Sequence, residues 1–132
     1  MPALGDLEVQ VMRRIWARRG PVTVREVLGD LQADRNIAYT TVMTVMGNLE
    51  KKGWLRRHAE GRAYRYEPLV SAEEYSAGLM RQALEASTDR PAALMHFIED
   101  LSADEADALE EAYRRLTGPG RSAARASRGS RR

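Results

Sequence analysis

The chain has no cysteine, a single phenylalanine, two histidines, and only two lysines among its 21 basic residues. Without cysteine there is no disulfide, no thiolate metal site and no cysteine nucleophile, and the chain fits a reducing compartment. The histidines, His58 and His96, lie in different segments, and neither has a helical ligand partner four residues away. No apolar run approaches the ~20 residues of a membrane span. The opening residues already include Asp6 and lack the basic start and apolar stretch of a secretory signal. These absences predict a cytoplasmic protein with no membrane insertion, no metal and no cofactor. No Ser/His/Asp arrangement, glycine-rich phosphate loop or paired-carboxylate site stands out, so the chain reads as a non-enzyme.

What is present is a division of charge. Residues 1–67 carry a net +4, residues 68–117 a net −7, and residues 118–132 a net +5. A basic front attracts phosphate by releasing condensed counterions, whereas an acidic middle is repelled by DNA and suits protein contacts. The length of 132 residues fits one ordinary domain, or a small domain with an appended element.

Helical periodicity runs through the basic front. Leu4 to Arg18 places Leu7, Val11, Met12, Ile15 and Trp16 at helical spacing and stops at Gly20-Pro21. Thr23 with Glu26 forms a capping box opening a second helix, whose face is Val24, Val27, Leu28 and Leu31. A third helix spans about Ala38 to Lys52, with Gly53 as its stop. The pattern then changes to two short aromatic and branched runs, Trp54 to Ala59 and Arg62 to Glu67, separated by Glu60-Gly61 as the hairpin turn. Alternation puts Tyr64 and Tyr66 on one face. Three helices followed by a hairpin predict a winged helix over residues 1–70. Trp16 and Trp54, in step with apolar neighbours, are expected in its core.

Past Pro68, capping boxes at Ser71/Glu74 and Ser102/Glu105 and a start at Asp89 before Pro91 predict three more helices over residues 71–117. About fifty residues in three helices cannot close a core alone. We therefore expect them to pair with a second copy through Tyr75, Leu79, Leu94, Phe97, Ile98, Leu101, Leu109, Tyr113 and Leu116. Residues 118–132, rich in Gly, Ser, Ala and Arg, are expected to be a disordered basic tail. The whole is a mostly α (α+β) chain: an N-terminal winged helix followed by a C-terminal helical dimerisation element.

The third helix has two faces. Val42, Val45, Met46 and Leu49 converge on one, and Thr40, Thr44, Gly47 and Lys51 on the other, flanked by Met43 and Asn48. The second face has almost no acid, permits close approach, and carries hydroxyls, an Asn able to pair with adenine, and methyls that can meet thymine. A solvated helix face is the plainer alternative, but Thr and Gly there weaken a helix without another reason. Arg56, Arg57, His58, Arg62 and Arg65 give the hairpin its own cations, whereas Arg13, Arg14, Arg18 and Arg19 on the first helix read as solvated. The candidate DNA-contact set is Tyr39, Thr40, Thr41, Met43, Thr44, Gly47, Asn48, Lys51, Lys52, Arg62 and Arg65. The acidic run from Asp104 to Glu111 reads as a helix-dipole complement and a solvated face. A winged helix used only for protein contacts remains an alternative.

Several fragments in order resemble the penicillinase and methicillin-resistance repressor family. They are Leu7-Glu8-x-x-Val11-Met12-x-x-Ile15-Trp16, then Thr41-Val42-x-Thr44-x-x-x-x-Leu49-x-x-Lys52-Gly53-Trp54-Leu55, then Gly61-Arg62-x-Tyr64-x-Tyr66. The likeness continues through Phe97-Ile98-Glu99 and Leu101-Ser102-x-Asp104-Glu105 and covers residues 4–116. It implies a homodimeric repressor on a palindromic double-stranded DNA operator of β-lactamase or related antibiotic-resistance genes. It also implies release by proteolysis in the C-terminal part, triggered by a membrane-bound antibiotic sensor. Well-known members are cut between an Asn and the Phe corresponding to Phe97; this chain has His96 there, so the candidate bond is His96-Phe97. A sister branch senses copper through C-terminal cysteines, a mechanism this cysteine-free chain lacks. Release by a small-molecule ligand is the alternative switch.

Overall fold

The computed structural model of the chain describes residues 2–118; the remainder of the predicted basic tail lies outside the described residues. Helices start where side chains satisfy the backbone groups that a helix end leaves without partners. Helix α1 (Asp6–Ala17) begins two residues later than its apolar spacing predicts, because Gly5 takes the cap position and donates its N–H to Glu8 Oε1 at 2.7 Å. Helix α2 (Val24–Gln32) opens on the expected box: the Glu26 N–H donates to Thr23 Oγ1 at 3.2 Å, and the Thr23 N–H to Glu26 Oε1 at 2.8 Å. Helix α3 (Tyr39–Lys51) stops at Gly53, whose φ of +86° favours glycine. There the Gly53 N–H donates to the Glu50 carbonyl at 3.1 Å and the Trp54 N–H to that of Leu49 at 2.9 Å. These paired bonds satisfy two carbonyls at the helix end.

Strands β1 (Leu55–Glu60) and β2 (Ala63–Pro68) form one antiparallel hairpin in register from Leu55 opposite Pro68 to Glu60 opposite Ala63. The turn is thus Gly61-Arg62, one residue beyond the predicted Glu60-Gly61. The shift has a conformational cause: φ is +64° at Gly61 and, among the described residues, positive at no non-glycine residue, which fits a two-residue turn needing a left-handed first position. Sequence periodicity also missed a third strand contact. Val22, between α1 and α2, bridges Tyr66: the Tyr66 N–H donates to Val22 O at 2.7 Å and the Val22 N–H to Tyr66 O at 2.8 Å.

The core lies where α1, α2, α3 and the base of the hairpin meet: Val11, Met12, Ile15, Val27, Leu31, Val42, Met46, Leu49 and Leu55 are all at most 1% exposed. Trp54 belongs to this core, and Trp16 packs on its edge. Their indole N–H groups, costly to bury unpaired, donate to Pro2 O at 3.1 Å and Val70 O at 2.9 Å. This compact unit runs through Met80, so it takes in the start of helix α4 (Ala72–Ala86). Tyr75 is the reason: its ring lies 5.5 Å from that of Trp16 and 5.8 Å, edge-on, from that of Trp54.

The second unit, from Arg81, holds the end of α4, α5 (Arg90–Glu99) and α6 (Ala103–Leu116). Asp89 Oδ1 accepts from the Ala92 N–H at 3.1 Å to start α5, and the Ser102/Glu105 box starts α6. Among the described residues no helix is long and apolar enough to cross a membrane.

Candidate nucleic-acid interface

Helix α3 has the two faces that its spacing predicts. Val42, Met46 and Leu49 are fully buried and Val45 is half-buried, so the helix is held to the core along its length. Tyr39, Thr40, Thr41, Met43, Thr44, Asn48 and Lys51 are exposed and Gly47 is half-buried. No acidic residue occupies the first turn, and the cap residue Ala38 makes no side-chain hydrogen bond to the helix. The approach to this end is therefore positive through the helix dipole and free of a competing carboxylate. A Cβ on Gly47 would meet nothing within 4 Å, so its value is low relief on the outer face rather than a close internal contact.

The candidate cations divide by their partners. Lys51 is exposed and forms no ion pair among the described residues, and Arg62 is exposed at the hairpin tip. Lys52 and Arg65, placed with them from sequence, are held by partners within the chain. Lys52 Nζ lies 2.7 Å from Glu8 Oε1, a carboxylate only 13% exposed, and donates to Ala3 O at 3.4 Å. Burial opposes ionisation of Glu8, but the Gly5 N–H and the Lys52 ammonium outweigh it and hold its carboxyl below the ordinary value. Arg65 pairs with Glu60 at 2.8 Å and Glu26 at 3.8 Å. Of the first-helix arginines, Arg13 and Arg19 are exposed as expected, but Arg14 pairs with Asp34, and Arg18 binds both carboxylate oxygens of Asp30, at 2.8 and 3.1 Å. Sequence spacing signals none of these pairs, because their members lie up to 44 positions apart.

Two aromatic contacts add cations to the surface. The Arg25 guanidinium lies 5.2 Å from the Tyr39 ring centroid, bringing a charge of α2 to the start of α3. Arg25 was not in the predicted set; its only sequence signal is its place beside the Thr23/Glu26 box. On the wing, the Arg57 guanidinium lies 4.3 Å from the Tyr64 ring centroid. Tyr64 and Tyr66 do share a strand face, but Tyr66 is 3% exposed and Tyr64 47%, because the hairpin extends beyond the core.

Helices α4, α5 and α6 contain no buried residue. Leu79, Leu94, Phe97, Ile98, Leu109, Tyr113 and Leu116 are 43–59% exposed, and Leu101 is half-buried. Tyr75 stands apart from this set, since its ring is spent on Trp16 and Trp54. The candidate scissile pair His96-Phe97 lies inside α5, with His96 Nδ1 3.6 Å from Glu99 Oε1.

A family model described as penicillinase repressor matches residues 4–115 of the chain. The chain belongs to the penicillinase repressor family. It is 50% identical over 116 residues to the transcriptional regulator BlaI of Mycobacterium tuberculosis, a match covering 86% of this chain and 84% of that protein. The penicillinase repressor of Bacillus licheniformis is 32% identical over 75 residues, covering 57% of this chain and 58% of that protein. Among solved structures, the DNA-binding domain of the repressor BlaI, determined in solution, superposes with a TM-score of 0.50 and 32% identity, covering 56% of this chain and 89% of that one. For this member of the penicillinase repressor family, the expected mostly helical fold with an N-terminal winged helix is what the structure has.

Proposed function

We propose that this chain, a DNA-binding transcriptional repressor of the penicillinase repressor family, acts as a homodimer that presents two α3 helices to a palindromic operator of penicillinase-type genes. The observation that carries the reading is the two-sidedness of α3: Val42, Met46 and Leu49 are buried, while its outer face is carboxylate-poor, small and hydroxyl-bearing. Thr40, Thr44 and Asn48 read or register the major groove, Thr41 and Tyr39 with Arg25 meet the backbone at the helix start, Met43 meets thymine methyls, and Gly47 admits the base edges. Lys51 and Arg62 approach phosphate. A protein two-fold demands half-sites one DNA turn, about 34 Å, or a multiple apart.

Pairing of two copies through the C-terminal helices is supported by their lack of any buried residue despite nine large apolar side chains at 43–61% exposure. Exposed apolar side chains in this number are what an interaction surface supplies. Release by a sensor-linked protease at His96-Phe97 is the switch we favour from the family. Because the bond lies within α5 and proteases act on opened backbone, cleavage there requires local unfolding of the helix.

The deciding experiment is an electrophoretic shift on the chain's own promoter region, competed with random DNA, together with Leu109→Asp/Tyr113→Ala protein. A specific shift that the double variant loses along with self-association is expected. Absence of a specific shift overturns the operator reading, and a double variant still dimeric at micromolar concentration overturns the chosen interface. An intact chain after incubation with membranes from β-lactam-induced cells overturns the proteolytic switch.

A further inference from the structure

Arg65, in the middle of β2, is bound on several sides by groups of its own chain. Its Nε lies 2.8 Å from Glu60 Oε2, the diagonal neighbour on the facing strand; its Nη1 lies 3.8 Å from Glu26 Oε1 and donates to Pro21 O at 3.5 Å. Glu26 is itself fixed, accepting from the Thr23 N–H at 2.8 Å and from Arg18 Nη1 at 3.3 Å, while Arg18 holds Asp30 in a two-pronged contact. The next residue in the strand, Tyr66, makes both hydrogen bonds of the Val22 bridge. One path of charge and hydrogen bonding thus runs from the end of α1 through α2 into β2 and on to the last residue of β1. Arg62, three residues from Arg65 and at the turn, is exposed outside this path.

A two-stranded hairpin is marginal by itself, so where its tip stands relative to α3 depends on what holds its base. We propose that Arg65 is a positioning residue that clamps the wing to the helix-turn-helix through Glu26 and the Pro21 carbonyl, with Glu60 of the facing strand orienting its guanidinium, and that Arg62 rather than Arg65 supplies phosphate charge at the tip of the wing. A partly exposed pair of this kind adds little to global stability. Its effect lies in the orientation of the wing, which sets whether Arg62 reaches the backbone. The inference rests on the operator-binding reading above.

The two roles give different salt dependences. On a duplex from the chain's own promoter region, followed by fluorescence anisotropy across a salt series, Arg62→Ala should reduce the slope of log affinity against log salt by about 0.9, one phosphate. Arg65→Ala should weaken binding about three- to tenfold with the slope unchanged, and should cost much less when Glu60 is already Gln, because partners in one clamp are not additive. Without DNA, Arg65→Ala should speed amide exchange in residues 55–68 and leave the α1–α3 core amides protected. A slope reduced as in Arg62→Ala, or fully additive costs, overturns the clamp and makes Arg65 a phosphate contact. Exchange accelerated throughout the core also overturns it, as a general stability effect. Failure of the wild-type chain to bind any duplex refutes the operator reading instead, and the DNA-free exchange comparison still decides the clamp.

Discussion

Replacing Tyr75 by Ala tests whether the start of α4 is part of the winged-helix unit. The ring is half-buried and stands against two indoles, at 5.5 Å from Trp16 and 5.8 Å from Trp54. Truncating a fully buried large aromatic costs about 3–5 kcal/mol, and half-burial brings this to roughly 2 kcal/mol; each aromatic pair contributes about 0.5–1.5 kcal/mol within such a figure. For a unit of this size that loss lowers the melting temperature by about 10 °C. Urea denaturation of the full chain, read by tryptophan fluorescence, measures it directly. The chain has only two tryptophans and both touch Tyr75, so emission reports on this junction together with the core they pack in. Tyr75→Phe keeps the ring and should stay near wild type. Stability within about 0.5 kcal/mol for Tyr75→Ala, with unaltered emission, would refute the reasoning and detach α4 from the unit.

Lys51 and Lys52 are neighbours with opposite expectations. Lys51→Ala should reduce the salt slope by about 0.9 and affinity about fivefold at physiological salt, with stability unchanged; Lys52→Ala should leave the slope alone and lower the melting temperature, because Glu8 loses its partner. Equal slopes for the two variants would count against the division. The acid limb of stability follows from lowered carboxyl pKa values. The Thr23 N–H lowers Glu26, Arg18 lowers Asp30, Arg56 lowers Glu67, and the Gly5 N–H and Lys52 outweigh burial at Glu8. Groups lowered on folding stabilise fully above their unfolded values, about 4, and lose that contribution as pH falls through the folded ones. Melting temperature should therefore fall in acid, and the deficit of Glu8→Gln relative to wild type should narrow there; a widening deficit would reverse the sign of the argument.

The periodicities that specified the fold are local. Val42, Val45, Met46 and Leu49 recur at helical spacing, Thr23/Glu26 and Ser102/Glu105 are caps whose partners lie three residues apart, and Gly53 ends α3 by its own backbone freedom. The same locality explains the one-residue error at the hairpin. Gly61 is visible as a turn residue, but whether it takes the first or second turn position is set by strand pairing, which periodicity does not encode.

By itself the sequence determined which helices form, that α3 has a buried and an open face, and that the C-terminal helices carry apolar residues they do not bury internally. Tertiary structure decided which charges are available at the open face. Lys52 and Arg65 look as free as Lys51 and Arg62 in sequence, yet Glu8, 44 positions from Lys52, and Glu26, 39 positions before Arg65 in the sequence, are brought beside them by the packing of α1, α2 and the wing. Tyr75 was assigned by helical spacing to an interface and by packing to the two tryptophans. Caps and amphipathic faces depend on neighbours three or four residues away, whereas ion pairs and ring contacts depend on which segments the core brings together.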